Sequence, residues 1–146
     1  MKERKVPYRE KIAWLSLVAM AVTFGPYFAI VAAGPFRNAA LPNLGQLGFF
    51  GAAAIAQMLI LGAGHLYLGR KSPEDAHTPP DERDRAIMHR SISSAYYVLI
   101  VGMIVVGCIM PFSSSGWAII DAALVTIVAA EVVHYGVVVF SYRRQA

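Results

Sequence analysis

The stretch Ala118–Phe140, AIIDAALVTIVAAEVVHYGVVVF, decides the fold because it is long and apolar enough to cross a lipid bilayer. About 20 apolar residues in an α-helix span the hydrocarbon core, whereas helices of water-soluble proteins are rarely apolar on all sides. Three further runs have the same character and lie at Ile12–Ala33, Leu44–Leu68 and Ser94–Met110. The sequence therefore predicts an all-α bundle of four transmembrane helices, formed as a single domain over residues 1–146.

The composition favours the same class and argues against an enzyme. Hydrophobic residues make up 57% of the chain and charged residues 15%, whereas charged residues approach about a quarter of a soluble domain. The single cysteine, Cys108, excludes an intramolecular disulfide and a thiolate metal cage. No nucleophile elbow, phosphate-binding loop or zinc-protease motif is present. We therefore predict neither catalysis nor a cofactor.

The basic residues predict the orientation in the membrane. Of the 13 lysines and arginines, five precede the first run, five lie between the second and third runs, and two follow the fourth. Only Arg37 falls on the other side. Because cytoplasmic segments carry the excess of basic residues, both termini and the loop 69–93 are predicted to be cytoplasmic. The same cations attract anionic lipid headgroups, so the lipid bilayer, and not nucleic acid, is their predicted partner.

The cytoplasmic loop contains the most distinctive polar segment, TPPDERDR at residues 78–85. Thr78 is a candidate N-cap, and the following prolines and acids predict a helix that runs into the third span. The segment is interpreted either as a capped helical extension, or as a docking surface for a partner protein, or as a network that joins the loop to the basic tail. The charged residues concerned are Asp81, Glu82, Arg83, Asp84, Arg85, Arg143 and Arg144, with Asp81 and Glu82 spaced to pair with Arg85.

The second half of the chain resembles a known family. The segment DERDR at residues 81–85, the segment AYYVL at residues 95–99, Glu131 in the last span and the YRR end at residues 142–144 carry the resemblance. They are similar to a family of small uncharacterised prokaryotic four-span membrane proteins, a domain of unknown function. The resemblance implies a location in the prokaryotic inner membrane and a regulatory or sensing partnership, and it carries over no catalytic residue.

Four of the polar side chains within the apolar runs are candidate functional groups: Glu131, His134, Gln57 and Asp121. A charged Glu131 near the middle of the fourth run is costly unless it is protonated, paired or in contact with water. His134 follows three residues later, about 60° round the helix, so the two side chains share one face. Gln57, at a similar depth, is the predicted hydrogen-bond partner of Glu131, and Arg37 is predicted to neutralise Asp121. These groups are interpreted either as a polar clamp between helices or as a proton or cation pathway.

Two patterns in the sequence match parts of known metal sites, and neither is complete. Glu131 and His134 have the spacing of one half of a di-iron site, but the chain has no second such motif. His65 and His134 are two candidate haem ligands, but they are offset by about 4 to 5 Å along the helices. No metal is predicted.

Small and aromatic residues predict helix contacts and membrane boundaries. In the second span, glycines at positions 45, 48, 51, 62 and 64 form a stripe that favours close contacts within the bundle, with a homo-oligomer as the alternative. Trp14, Tyr27, Trp117 and Tyr142 are predicted to anchor the span ends at the membrane interface.

The function predicted from these features is that of an accessory or regulatory membrane protein. It would act through contacts of its helices and its cytoplasmic loop. The alternative is a small proton- or cation-linked transporter that uses Glu131.

Overall fold

The computed structural model describes residues 6–36, 43–114 and 116–144, which form helices and turns and no strand. The helices are α1 (Tyr8–Ala33), α2 (Leu44–Lys71), α3 (Pro73–His77), α4 (Glu82–Ile104) and α5 (Trp117–Arg144). Helix α4 continues through a π-helical turn at Val105–Ile109 and a 3₁₀ turn at Met110–Phe112. Four helices are long and apolar enough to cross a membrane, which confirms the predicted all-α class and the four candidate spans.

The helix ends follow from local chemistry. Helix α1 runs through Pro26 and ends at Gly34, whose φ of 90° lies in the left-handed region that glycine adopts without a steric penalty. Helix α2 begins after Asn43, whose side chain accepts a hydrogen bond from the backbone N–H of Gln46 at 3.1 Å. The cap places Gln46 where its side chain can reach a neighbouring helix.

Helix α4 begins three residues later than predicted. The N-cap is Asp81, whose carboxylate accepts from the backbone N–H of Asp84 at 2.6 Å. Thr78 instead donates its hydroxyl proton to the carbonyl of Glu74 at 2.7 Å, at the end of α3. The prediction of Thr78 as the cap was wrong because Pro79, which would then be the first helical residue, precedes Pro80, and a residue before a proline is disfavoured in a helix.

The four long helices pack in the order α2, α1, α5, α4. Contacts join α2 to α1, α1 to α5 and α5 to α4, and within the described residues no comparable contact joins α2 to α4. Side-chain contacts place the start of α1, the end of α2, the start of α4 and the end of α5 together. We call this the basic end of the bundle. Helices α1 and α5 are thus central, while α2 and α4 are outer helices with large uncovered faces.

Two glycines allow close helix contacts. A Cβ added at Gly64 of α2 would overlap the side chain of Leu15 in α1, and one added at Gly102 of α4 would overlap that of Thr126 in α5. At positions 48, 51 and 62 an added Cβ would meet no atom within 4 Å. Of the predicted glycine stripe, only Gly64 makes a close helix contact and Gly45 an ordinary contact with Phe36, because α2 leaves most of its surface uncovered.

Two of the predicted interfacial tyrosines are buried. Tyr27, with no exposed surface, packs against Phe28, Phe49 and Phe50 at ring-centroid distances of 5.1 to 5.6 Å. Tyr142 is also buried and contacts α4. Both rings lie where α1 or α5 meets another helix, so helix packing determines their position and the prediction of membrane anchors was wrong for them.

Candidate functional site

The uncovered face of the bundle is an elongated groove with α5 as its floor. Three adjoining cavities make it up: one of about 230 Å³ at the basic end, one of about 430 Å³ against α4, and one of about 280 Å³ against α1 and α2. Tyr135 lines all three cavities, Glu131 lines the second and third, and His134 lines the first and second. We call this continuous feature the lateral groove.

Glu131 is the central charged group of the lateral groove. It lies at the midpoint of α5, its side chain is exposed, and in the part of the chain that the structure describes no hydrogen bond or ion pair reaches it. Most of the surrounding lining is apolar or aromatic, with Phe24 and Phe50 on one side and Tyr96 on the other. An ionised carboxylate at this depth is unfavourable in lipid, so it needs a proton, water or a positively charged partner.

Two histidines extend the polar lining towards the basic end. The His134 ring packs edge-on against Tyr135 at 4.8 Å between centroids. Nδ1 of His65 lies 2.8 Å from the carbonyl of Leu61, which requires Nδ1 to carry the proton in the neutral ring and leaves Nε2 as an acceptor. Both histidines line the basic-end cavity. Together with Glu131, they give the lateral groove three sites that can accept a proton.

Gln57 lines the same cavity as Glu131 but is bonded to another residue. Thr23 Oγ1 lies 2.8 Å from the Gln57 side-chain carbonyl and 2.9 Å from the carbonyl of Ala19. The Thr23 hydroxyl has one proton and can donate only one of these two hydrogen bonds. If it donates to the carbonyl of Ala19, the Gln57 amide must be turned so that its NH₂ group donates to the Thr23 oxygen. The predicted bond from Gln57 to Glu131 was therefore wrong, because a threonine on α1 lies closer to the amide.

Asp121 is held by an amide rather than by a cation. Its carboxylate accepts a hydrogen bond of 2.5 Å from the side chain of Gln46, which is itself 2% exposed and bonded to Asn43. The predicted partner, Arg37, lies outside the described residues. Asp121 thus fastens α5 to the start of α2, away from the lateral groove.

At the basic end, Asp84 joins three helices. Its carboxylate pairs with the guanidinium of Arg9 in α1 at 3.2 Å and accepts a short hydrogen bond from the hydroxyl of Tyr142 in α5. Arg83 lies over the ring of Tyr142, 5.8 Å from its centroid. Arg9 also reaches the carbonyl of Thr78 at 3.5 Å. The loop is therefore fixed to both central helices.

A second ion pair joins the end of α5 to the start of α1. Arg143 lies 3.7 Å from Glu10, which is 2% exposed, and its guanidinium lies over the ring of Trp14 at 5.0 Å. Arg144 is exposed. The loop and the tail are joined, but by the contact of Tyr142 with Asp84, whereas Arg143 pairs with Glu10 of α1 and not with the loop as the predicted network requires.

The remaining charges of the loop face outward. Glu82 and Arg85 are exposed, and in the described chain neither Asp81 nor Glu82 pairs with Arg85. Asp81 is used instead as the helix cap. The acidic groups available to a partner at this end are therefore fewer than the sequence indicates.

Four functional or structural contributors were not identified from the sequence: Arg9, Glu10, Thr23 and Gln46. In the sequence, Arg9 is one of the five basic residues before the first run, which predict only the orientation in the membrane. The role of Gln46 could have been recognised from the local sequence, because a glutamine three residues after the N-cap Asn43 is typical of a capping box. The other contacts join positions far apart in the chain, and no periodicity indicates them.

Comparisons with known protein families, with curated proteins and with solved structures find no match for this chain. The resemblance to the small four-span family therefore stays a prediction. The lateral groove and the chemistry of its lining residues are the basis for the functional argument.

Proposed function

We propose that this protein is an accessory or regulatory protein of the prokaryotic inner membrane that acts by binding through the lateral groove. In this proposal the basic end faces the cytoplasm, as the distribution of lysine and arginine favours. Binding is favoured over catalysis because the groove is open along its length and combines a broad apolar lining with few polar groups. The exposed loop residues Glu82 and Arg85 supply a secondary contact surface.

The observation that carries the proposal is the state of Glu131. Three other acids within the long helices have a visible structural role, since Asp84 joins three helices, Glu10 pairs with Arg143, and Asp121 holds Gln46. Glu131 contributes no such contact within the described residues, although it lies where a charge is most costly. Intramembrane ionisable groups without a structural role are the usual markers of function.

Two adjacent tyrosines on α4 allow a matched test. Tyr96 lines the cavity that contains Glu131, whereas Tyr97 lines a different cavity with Val125 and Ala129. Ala129 lies two residues before Glu131, which is about 160° away round α5 at 3.6 residues per turn. Positions 96 and 97 therefore lie on opposite sides of the α4–α5 pair, and both are tyrosine in the native chain.

A photoreactive benzoylphenylalanine placed at position 96 should give a discrete protein adduct in growing cells, and one at position 97 should not. Glu131→Gln should remove the adduct at position 96 while the protein still inserts in the membrane. Equal labelling at the two positions, or none at position 96, would contradict binding through the lateral groove.

A proton- or cation-linked transporter is the second candidate, and one observation favours it. His134 and Tyr135 connect the cavities beside Glu131 to the cavity at the basic end, which at about 230 Å³ has room for several waters. This arrangement would give protons access to Glu131 from one side.

Proton-driven flux into phospholipid vesicles that contain the purified protein tests this second candidate. If Glu131 is the proton carrier, Glu131→Gln should abolish the flux while the protein still folds. A proton-driven flux that persists in Glu131→Gln would exclude this residue as the carrier.

A further inference from the structure

We propose that the occupant of the lateral groove is a transmembrane helix of a partner protein that carries a lysine or arginine near its middle, opposite Glu131. The inference rests on the proposed function and names the chemistry of the partner. Three observations carry it: the length of the groove, the uncovered outer helices and the unpaired charge.

The length of the lateral groove fits a helix better than a small molecule. Its lining on α5 extends from Leu124 to Tyr142, which is about 27 Å at 1.5 Å per residue. The hydrocarbon core of a bilayer is about 30 Å thick. A membrane-spanning helix would therefore contact the groove along its whole length, whereas a small ligand would cover only one of the three cavities.

The outer helices have the surface that such a helix would cover. In the most apolar window of each span, 28% of residues are buried in α1 and 17% in α5, but only 6% in α2 and 6% in α4. A fifth helix seated on the floor of the groove would lie between α2 and α4, the two helices that lack a contact with each other in the described residues. It would give both outer helices a second neighbour.

The charge of Glu131 specifies the partner. In a medium of low dielectric constant, an isolated carboxylate and an isolated ammonium or guanidinium are both unfavourable, and each becomes tolerable when they pair. The rings of Tyr96 and Tyr135 beside Glu131 also suit a cation, because their faces attract positive charge. A basic side chain in the middle of a partner helix would form an ion pair with Glu131, and neither charge would then be unpaired in the membrane.

A second copy of this chain does not supply that cation. No lysine or arginine occurs between Lys11 and Arg37, between Arg37 and Arg70, or between Arg90 and Arg143. The middle of every span therefore lacks a permanently positive side chain. The complementary charge must come from a different protein.

The test uses the purified full chain in phospholipid vesicles and synthetic transmembrane helices as probes. Three leucine-alanine peptides differ at one central position, which is lysine, leucine or glutamate, and each carries a donor dye. The acceptor dye is attached to Cys108, the single cysteine, which is exposed. Energy transfer then reports association of each peptide with the chain.

The lysine peptide should associate about tenfold more strongly than the leucine peptide, the size expected for one polar contact between helices in a bilayer. The glutamate peptide should associate no better than the leucine peptide. Glu131→Gln should remove the preference for lysine, Glu131→Asp should retain part of it, and the matched control Asp121→Asn should leave it unchanged. Circular dichroism confirms that each variant keeps its helices.

Several outcomes would overturn the inference. The lysine and leucine peptides could associate equally well with the chain, or the preference for lysine could persist in Glu131→Gln. The chain could also associate with itself so that the lysine peptide does not displace the second copy. Glu131-dependent binding of tetraphenylphosphonium without binding of the lysine peptide would assign the groove to a small cation instead. The lysine peptide could fail to associate with the chain although position 96 still gives a Glu131-dependent adduct in cells. That combination would reject only the proposed chemistry of the partner. Absence of that adduct would reject the proposed function as well.

Discussion

The basic end and the middle of the bundle use acidic residues in opposite ways. At the basic end, the Asp84 carboxylate has partners on α1 and α5, and Glu10 is buried beside Arg143. In the middle, Glu131 is exposed in the lateral groove without a partner among the described residues. The basic end thus pairs the two acids that join its helices, while the apolar middle leaves its acid unpaired within the described residues.

The difference separates stability from function. A charge that is paired inside the chain fixes helices relative to each other, and its removal leaves another group unsatisfied. A charge that is unpaired in the chain contributes nothing of that kind and remains available to a proton, a cation or a partner. We therefore expect substitutions at the basic end to change the free energy of unfolding, and substitution of Glu131 to change binding.

The largest effect is expected for Asp84→Ala. It removes the partner of Arg9 and the acceptor for Tyr142, so the free energy of unfolding should fall by about 2 to 3 kcal/mol. Unfolding by sodium dodecyl sulfate in mixed micelles, followed by tryptophan fluorescence, measures it. Trp14 reports on α1, and Trp117 reports on α5.

Glu82→Ala is the matched control for Asp84→Ala, because it removes an exposed acid from the same helical turn. Its loss should cost no more than about 0.5 kcal/mol, the usual contribution of one acid at a helix N-terminus. Equal destabilisation by the two variants would show that Asp84 acts through the helix dipole and not through its contacts with α1 and α5.

The second prediction contrasts the tight α4–α5 contact with the open face of α2. Thr126 faces Gly102 and is held by a hydrogen bond from its hydroxyl to the carbonyl of Ala122 at 2.8 Å. Gly102→Ala should therefore force the helices apart and lower the free energy of unfolding by about 1 to 3 kcal/mol. Gly62→Ala meets no atom within 4 Å and should leave stability unchanged or raise it.

The same unfolding assay compares the two glycine variants. A loss of stability in Gly62→Ala as large as that in Gly102→Ala would mean that the face of α2 is already covered, for example by another chain in the micelle. That outcome would remove the contrast between inner and outer helices on which the lateral groove depends.

The spans could be predicted from the sequence, and the contacts between them could not. Hydropathy is a property of neighbouring residues, so the runs that became α1, α2, α4 and α5 were evident. The partners of Asp121 and Asp84 are Gln46 and Arg9, each 75 residues away, and no local pattern links them.

The sequence also did not predict which face of each helix contacts a neighbouring helix. Helix α2 is apolar on all sides, so the sequence does not tell that Gly64 contacts α1 while Gly62, on the same helical turn, contacts nothing. Glu131 was recognisable as a functional candidate because an acid near the middle of an apolar run is conspicuous. Its position on an open groove, away from Gln57, depended on the packing order of the helices.

A smaller effect is expected for Asp81→Ala. It removes the side-chain cap of α4 and should lower the free energy of unfolding by about 1 kcal/mol. Asp81→Asn retains an acceptor oxygen and should recover most of the loss. A loss that Asp81→Asn does not recover would assign the effect to the charge and would extend the paired-charge network of the basic end to Asp81.

The smallest effect on stability is expected for Glu131→Gln. Because no group in the described chain depends on this carboxylate, its replacement by an uncharged amide of the same shape should change the free energy of unfolding by less than about 0.5 kcal/mol. Unfolding by sodium dodecyl sulfate in mixed micelles measures the change. A loss of more than about 1 kcal/mol, comparable with a lost cap, would place Glu131 among the structural acids. The contrast between the two regions would then fail, because the middle of the bundle would be held by the same kind of contact as its basic end.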